Sequence, residues 1–228
     1  MNKIILANLK ANKSFENSKE WIEKFLQNVD DSALSKLDVS VAPSFTALEM
    51  MSSKILRAHK NISVSVQDIS SFPAGSYTGA ISGQNLMGLS VKYAIIGHSE
   101  RRKYFKETSH DVALKVTQCL ANDIRPVVCI DTEYLEEQLN LIEKQDMEKC
   151  IVAYEPLSAI GSGKNADVGS VKSVVERVKI IAGDVPVIYG GSVNEFNISE
   201  YLLVSDGALI GTAALDQDQF IRVIESCI

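Results

Sequence analysis

Residues that build disulfide frameworks and metal clusters are scarce in this 228-residue chain, which contains four cysteines and three histidines. The cysteines are Cys119, Cys129, Cys150 and Cys227, and the histidines are His59, His98 and His110. No two cysteines form a CxxC pair, and dispersed cysteines of this kind are typical of reduced thiols in a cytoplasmic protein. The composition therefore predicts a cytoplasmic location and disfavours a structural metal cluster.

Long apolar runs and an excess of basic residues are also lacking. The N-terminus, MNKIILANLK, has four consecutive apolar residues before Asn8, which is too few for the core of a signal peptide, and no other run reaches membrane length. With 23 basic and 29 acidic residues the net charge is −6. These features argue against nucleic-acid and membrane partners. An anionic substrate would need a local positive site that acts against the overall charge.

Short apolar runs rich in β-branched residues recur through the whole chain. Eight of them begin at Ile4, Asp38, Ile62, Tyr93, Pro126, Cys150, Pro186 and Gly207. Their mean separation is 29 residues, about the length of one strand followed by one helix. Apolar residues with helical spacing fill the gaps, for example within 21–29 and within 171–181. Asp167 is the expected N-cap of the second of these helices.

The predicted strands are apolar along nearly their whole length, as parallel strands covered on both faces are. Eight regular βα units predict an α/β fold, a single-domain (β/α)8 barrel over residues 1–228. An open, doubly wound sheet is the main alternative. However, the segment IILANLKANK, which begins with the first predicted strand, lacks the glycine-rich dinucleotide-binding pattern of such folds. Polar residues follow the carboxyl ends of the strands, where the active sites of such barrels lie, and this favours the barrel.

Glu155 follows the sixth predicted strand, in the segment IVAYEPLSAIGSGKN (151–165). A carboxylate at the end of a buried strand is partly desolvated, which makes it a stronger base. An acid that caps a surface loop is the alternative. The following residues favour a base beneath a lid, because Pro156 fixes one hinge while Gly161 and Gly163 free the chain near the other.

His98 lies in the segment IIGHSERRKYF (95–105), between a strand and a charged run with helical propensity. Backbone N–H groups at the start of a helix favour the neutral imidazole, which can donate a hydrogen bond to a substrate carbonyl. A structural histidine bonded to the backbone is the alternative. His98 and Glu100 could also ligate a metal ion, but no third ligand is evident.

A lysine and two glycine-rich turns follow other strands. Lys10, bracketed by Asn8 and Asn12, could supply a buried positive charge, although most lysines are solvated surface groups. The turns YGGSV (189–193) and IGTAA (210–214) belong to strands seven and eight. Barrels commonly bind phosphate there through backbone N–H groups. The alternative is a purely structural role, in which glycine only allows a tight corner of the barrel.

Five motifs in this chain closely resemble the triosephosphate isomerase family, in its order and at about its spacing. They are NLKAN (8–12), GHSERR (97–102), AYEPLSAIGSGK (153–164), YGGSV (189–193) and DGALIGTAAL (206–215). The resemblance runs from the first strand to the last, and the combination of the second and third motifs is highly specific. It implies interconversion of dihydroxyacetone phosphate and D-glyceraldehyde 3-phosphate, in glycolysis and gluconeogenesis, without a metal or an organic cofactor.

The resemblance also implies a role for each matching residue. Glu155 is expected to move a proton between two carbons through an enediol or enediolate, and His98 to act at the oxygens as a neutral electrophile. Lys10 is expected to stabilise negative charge, with Asn8 helping to place it. The expected phosphate ligands, acting largely through backbone N–H groups, are Gly161, Ser192, Gly211 and Thr212.

The segment SSFPAGSYTGAIS (70–82) matches the family's long third loop, which reaches into a neighbouring subunit. The resemblance therefore implies a homodimer in which Thr78 lies near the active site of the partner subunit. An ordinary surface loop is the alternative, although Phe72 and Tyr77 would be costly to leave exposed.

The chain departs from the family pattern at several positions. Leu9 and Ser158 stand where the family usually has tryptophan, and Asp131 replaces a glycine. Thr212 replaces a glycine of the phosphate site, so the backbone N–H survives while the β-branched side chain restricts the turn. The chain is roughly 20 residues shorter than a typical barrel of this fold. We expect the shortening mainly in the helices after strands five and six.

Two other functions are open on the residues alone. An aldolase-like barrel acting on another phosphorylated sugar would use Lys10 as a Schiff-base amine. A non-catalytic barrel would only bind a phosphorylated metabolite. The presence of Glu155, His98 and Lys10 together favours proton transfer over both.

Overall fold

The computed structural model describes residues 2–156 and 165–228. Within those ranges the chain forms eight parallel strands that close into a barrel, because each strand pairs with the next and β8 pairs with β1. The strands are β1 (Lys3–Asn8), β2 (Leu37–Ala42), β3 (Ile62–Val66), β4 (Val91–Ile96), β5 (Arg125–Ile130), β6 (Ile151–Tyr154), β7 (Val187–Tyr189) and β8 (Gly207–Ile210). The predicted (β/α)8 barrel is confirmed, and each predicted run overlaps one strand.

Helices in the described residues surround the barrel. They are α1 (Phe15–Asn28), α2 (Asp31–Lys36), α3 (Phe45–Ala58), α4 (Ser99–Phe105), α5 (Ser109–Leu120), α6 (Leu135–Asn140), α7 (Lys144–Met147), α8 (Val168–Ala182), α9 (Ile198–Leu202) and α10 (Gln217–Glu225). The expected shortening after the fifth strand agrees with the short helices α6 and α7. After the sixth strand α8 has 15 residues, and after the seventh α9 has 5 residues, so the shortening expected after the sixth strand stays a prediction.

The length of α8 follows from its own sequence. Asp167 is its N-cap and accepts a hydrogen bond from the backbone N–H of Ser170 at 3.0 Å, as the sequence predicts. Val171, Val174 and Val178 are buried against the barrel along a continuous apolar stripe. With Ala182 this stripe extends over about three turns, so packing stabilises most of the helix.

Side chains alternate between two layers of the core. In β1, Ile4 and Leu6 belong to the cluster inside the barrel, whereas Ile5 and Ala7 pack in the layer between strands and helices. All four are at most 2% exposed. Successive residues of a strand point to opposite faces, so a closed sheet needs apolar residues on both. The two layers together hold the carboxyl ends of the strands in fixed positions.

A partly buried cluster of four charges fixes the turn that follows β4. Lys115 Nζ lies 2.6 Å from Asp68 Oδ1 and 2.6 Å from Glu107 Oε2, and Arg101 lies within 2.8 Å of both carboxylates. The other oxygen of Glu107 accepts a hydrogen bond from the backbone N–H of Gly97 at 3.0 Å. Since each charge has a close partner of opposite sign, the cluster can be buried without a large penalty.

Aromatic packing joins the first helix to the last. The ring of Phe25 in α1 stacks on the ring of Trp21 at a centroid distance of 5.1 Å and contacts the ring of Phe220 in α10 at 5.5 Å. The Trp21 indole donates a hydrogen bond to the carbonyl oxygen of Ala214 at 3.0 Å. These contacts tie the chain ends together outside the β1–β8 seam.

We expect Phe220→Ala to lower the free energy of unfolding by about 3–5 kcal/mol, because it leaves a cavity beside Trp21 and Phe25. Phe196→Ala is the matched control, since Phe196 is 85% exposed, and should change the free energy by less than about 0.5 kcal/mol. Denaturant unfolding followed by circular dichroism measures both. Equal stability of the two variants would contradict the proposed role of this packing.

Candidate active site

Polar side chains converge at the carboxyl end of the barrel, around a cleft of about 440 Å³. That volume suits a small metabolite. Predicted site residues in its lining are Asn8, Lys10, His98, Glu155, Ser192, Gly211 and Thr212. The barrel thus brings together residues that lie as many as 204 positions apart along the chain. Gly161, the remaining predicted phosphate ligand, lies outside the described residues.

His98 and Glu155 are in direct contact, with His98 Nε2 at 3.2 Å from Glu155 Oε1. Both side chains are buried, at 6% and 4% exposure. His98 is the N-cap of α4, and its Nδ1 accepts a hydrogen bond from the backbone N–H of Glu100 at 3.2 Å. A nitrogen that accepts a hydrogen bond carries no proton. The proton of a neutral imidazole therefore lies on Nε2, the nitrogen that faces Glu155.

Opposing influences act on the charge of His98. Burial lowers the pKa of His98, but the carboxylate of Glu155 raises it by more, so the pKa lies above its ordinary value. Lys10 acts in the same direction as burial, and Glu100 acts with Glu155. The N–H donor at the start of α4 favours the neutral form, as the sequence predicts. The neutral imidazole thus stays a prediction, because the acid beside it favours protonation.

The second oxygen of Glu155, Oε2, is buried and has no hydrogen-bond partner among the described residues. Space for this side chain comes from Gly190, since a Cβ at that position would lie 2.8 Å from Glu155 Cγ. Inside the barrel, burial and the neighbouring Glu155 raise the pKa of the Cys129 thiol well above its ordinary value. An unsatisfied buried carboxylate oxygen is unusual in a structural acid and is suited to accept a proton.

Lys10 is held in a strained backbone conformation at the end of β1. Its φ of 49° lies in the left-handed region, and Asn8 Oδ1 accepts a hydrogen bond from its backbone N–H at 3.0 Å. Gln67 donates from its amide nitrogen to the carbonyl oxygens of Lys10 and Ala42, at 3.0 Å each. The ammonium group lies 2.7 Å from Glu100 Oε1. These contacts fix both the backbone of Lys10 and the position of its ammonium group.

The two glycine-rich turns lie beside this lysine. A Cβ at Gly211 would be 3.7 Å from Lys10 Cε, so the turn after β8 is in van der Waals contact with the lysine side chain. Position 191 must be glycine, because a Cβ there would lie only 2.0 Å from the hydroxyl oxygen of Tyr189. Thr212 is exposed at the edge of the cleft. Their position favours an anion bound next to the ammonium group.

Sequence reasoning missed three residues that support the site. Gly190 belongs to a motif that we interpreted only as a phosphate turn, but it makes room for Glu155. Glu100 was considered only as a metal ligand, but it pairs with Lys10. Gln67 had no local signal, because its partners are 57 and 25 positions away along the chain.

No group of three His, Cys, Asp or Glu side chains in residues 2–156 and 165–228 is arranged to hold a metal ion. In the same residues, no helix combines the length and apolar character needed to cross a membrane. Thr78 is exposed and does not line the cleft of its own chain. Beside it, the rings of Phe72 and Tyr77 are stacked at 4.6 Å, although the residues are 48% and 42% exposed.

We expect the imidazole of His98 to titrate above its ordinary pKa in the wild-type protein and below it in Glu155→Gln. Without the acid, burial and Lys10 lower the pKa of His98 and only Glu100 raises it. NMR titration of the imidazole resonances measures the shift, with His59→Gln and His110→Gln for assignment. A wild-type pKa below the ordinary value would mean that the start of α4, not Glu155, governs His98.

Comparison with known proteins supports one family. The sequence model of the family described as triosephosphate isomerase matches residues 3–227. A triosephosphate isomerase of Mesomycoplasma hyopneumoniae (strain 7448) is 38% identical, over 98% of this chain and 99% of the relative. That of Mesomycoplasma hyorhinis is 39% identical, over 97% of each chain. The enzyme of Mycobacteroides abscessus is 31% identical, over 96% of this chain and 94% of the relative. The chain therefore belongs to the triosephosphate isomerase family.

Proposed function

We propose that the protein interconverts dihydroxyacetone phosphate and D-glyceraldehyde 3-phosphate, with Glu155 as the base. The observation that carries this proposal is the buried contact between Glu155 and His98, with Lys10 in the same cleft. A carboxylate, an imidazole N–H and an ammonium group are the three groups that proton transfer next to a carbonyl requires. Family membership supports the same reaction.

In the first step, a carboxylate oxygen of Glu155 takes a proton from the carbon beside the substrate carbonyl. The electron pair of that C–H bond forms the carbon–carbon double bond of the enediolate, and the carbonyl oxygen takes the negative charge. His98 Nε2–H donates a hydrogen bond to this oxygen and mediates the proton exchange between the two oxygens. Protonated Glu155 then returns its proton to the neighbouring carbon, which completes the isomerisation without a net change in protons.

Lys10 stabilises the negative charge of the substrate and the enediolate. It is the cationic side chain among the described residues that line the cleft, and the protein as a whole has a net charge of −6. The ion pair with Glu100 holds the ammonium group at the cleft before substrate binds. The phosphate group is bound by backbone N–H groups of Ser192, Gly211 and Thr212, next to that charge.

The Schiff-base alternative is disfavoured by the same ion pair. An amine that attacks a carbonyl must be uncharged and free to approach it, whereas Lys10 Nζ is held by Glu100 Oε1 at 2.7 Å. A protein that only binds a phosphorylated metabolite has no use for a buried carboxylate oxygen without a partner, as Glu155 Oε2 is within the described residues. Both observations favour the isomerase.

The active protein is a homodimer in the cytoplasm, in which Thr78 lies near Lys10 of the partner subunit. Support comes from the loop at 70–82, whose exposed pair of stacked rings, Phe72 and Tyr77, would be buried by a second copy. Burial of the exposed part of these two aromatic side chains contributes about 1 kcal/mol each to association.

Moving the carboxylate should reduce turnover without removing the base. We expect Glu155→Asp to lower kcat for D-glyceraldehyde 3-phosphate by about 100-fold or more, because a displacement near 1 Å has that effect on proton transfer. Gly190→Ala should also lower kcat, because the added Cβ would lie 2.8 Å from Glu155 Cγ and would push the carboxylate out of its position. A coupled assay of isomerisation measures both variants.

Gly169→Ala is the control for the alanine substitution, because Gly169 is exposed in the first turn of α8 and its Cβ would meet only the end of the Asp167 side chain. It should retain wild-type kcat. Equal turnover of Glu155→Asp and wild type would assign the base to another residue. Absence of turnover in the wild type would defeat the isomerase proposal, and a borohydride-trapped adduct at Lys10 would favour the aldolase-like alternative.

Sedimentation equilibrium should give roughly twice the chain mass of 24.9 kDa. We expect Phe72→Asp combined with Tyr77→Asp to yield a monomer with reduced activity, because carboxylates would be buried in the interface. Phe196→Asp introduces a charge at an aromatic position outside this loop that is 85% exposed, and should remain dimeric. A monomeric wild type, or a dimeric double variant, would contradict the proposed interface.

A further inference from the structure

Glu195 joins two loops of the cleft through its side chain. It follows β7, and its two carboxylate oxygens accept hydrogen bonds from Gln219 Nε2 at 2.9 Å and Arg222 Nε at 3.3 Å. Both donors lie in α10, which follows the turn after β8. We call Glu195, Gln219 and Arg222 the loop clamp. The carboxylate side chain is 9% exposed although it belongs to a surface loop.

On the β7 side, hydrogen bonds of Asn197 link the loop that contains Glu195 to the turn that contains Ser192. Asn197 accepts a hydrogen bond from the backbone N–H of Asn194 at 2.9 Å and donates one to the carbonyl oxygen of Ser192 at 3.1 Å. Glu195 lies within this hydrogen-bonded loop, and both Asn194 and Ser192 line the cleft. A displacement of Glu195 would therefore displace the Ser192 turn.

On the β8 side, the clamp continues directly into the other turn. Gln219 lines the cleft itself, and its backbone N–H is bound by Asp216, the N-cap of α10, at 2.8 Å. Between Asp216 and the turn, Leu215 donates a backbone hydrogen bond to Thr212 at 3.0 Å. The start of α10 and the Gly211–Thr212 turn thus form one hydrogen-bonded unit.

Charge explains why the acid is tolerated here. Burial would raise the pKa of Glu195, but the hydrogen bonds from Gln219 and Arg222 lower it by more, so the carboxylate is ionised. An anion near a phosphate-binding turn would repel the ligand unless it were neutralised, and Arg222 supplies the matching charge. Glu195 is therefore suited to hold the turns in place and not to attract the ligand.

We propose that Glu195 is a positioning residue that fixes the Ser192 turn against the Gly211–Thr212 turn, so that their N–H groups are arranged for phosphate before it binds. This inference rests on the proposed function, because it assigns phosphate to these turns. Preorganised donors lower the ordering cost of binding. Because Ser192, Gly211 and Thr212 take no part in proton transfer in the proposed role, loss of the clamp should raise KM much more than it lowers kcat.

The test compares Glu195→Ala, Glu195→Gln and Glu176→Ala with the wild type. Glu176 is a 64% exposed acid of α8, so its removal changes the net charge equally without touching the cleft. For Glu195→Ala we expect the KM for D-glyceraldehyde 3-phosphate and the inhibition constant of inorganic phosphate each to rise about 5–30-fold, the equivalent of one or two lost interactions. The kcat should stay within about twofold.

Glu195→Gln keeps an oxygen that accepts from Gln219 and should recover most of the phosphate affinity, whereas Glu176→Ala should match the wild type. Unchanged phosphate inhibition in Glu195→Ala, or a loss confined to kcat, would overturn the inference. If Glu195→Ala does not fold, Gln219→Ala removes the hydrogen bond from the α10 side of the clamp. Unchanged phosphate inhibition in that variant, or a loss confined to kcat, would likewise overturn the inference. A wild type that neither isomerises triose phosphates nor binds inorganic phosphate would overturn the proposed function, and the clamp's role with it.

Discussion

Closure of the barrel between β8 and β1 is the constraint on which the rest of the structure depends. At this seam Gly207 pairs with Ile4, and a Cβ at Gly207 would lie 2.0 Å from the Ile4 carbonyl oxygen. Any other residue would force the two backbones apart. Because closure brings the end of β1 beside the end of β8, it also places Lys10 against the Gly211 turn. The strand pairing and the anion site therefore depend on the same approach of two backbones.

The cleft is a balanced set of charges inside an acidic protein. Lys10 pairs with Glu100, and His98 pairs with Glu155, so each reactive group has a partner before a ligand arrives. In a low-dielectric site such pairs hold side chains in place more firmly than they would at the surface. In the proposed reaction, a substrate carbonyl would compete with Glu155 for His98 Nε2–H, and an anionic substrate would compete with Glu100 for Lys10. The resting contacts thus resemble the contacts that a substrate would make.

Some residues of the site are positioned by strands of the barrel, and others lie in turns that side chains hold in place. Glu155 follows a buried strand, and the turn that contains His98 is bound by Glu107 of the partly buried charge cluster through Gly97. The turn after β7 is irregular, and the turn after β8 is a single 3-10 turn at Thr212–Ala214. Asn197 supports the first turn by hydrogen bonds within it, and the loop clamp joins the two. Glu155 and His98 are thereby held by the barrel, and the turns after β7 and β8 are held by side-chain hydrogen bonds.

The sequence alone determined the eight strands, their order and the residues at their carboxyl ends. Apolar periodicity and turn residues are local properties, so they could be identified without knowledge of the fold. Parallel closure then requires Asn8, Lys10, His98 and Glu155 to share one face, as the structure has them. The helix cap at Asp167 was predicted for the same reason, since capping depends on neighbouring residues.

Only the tertiary structure decided which groups touch. The partners of Lys10, Glu155 and Glu195 are Glu100, His98 and Gln219, which lie 90, 57 and 24 positions away along the chain. No local pattern encodes such contacts, because they depend on how strand ends are arranged around the barrel. For the same reason the sequence missed the space that Gly190 makes for Glu155 and the opposing influences on the pKa of His98. Sequence determined which chemical groups the cleft contains, and packing determined their distances and charges.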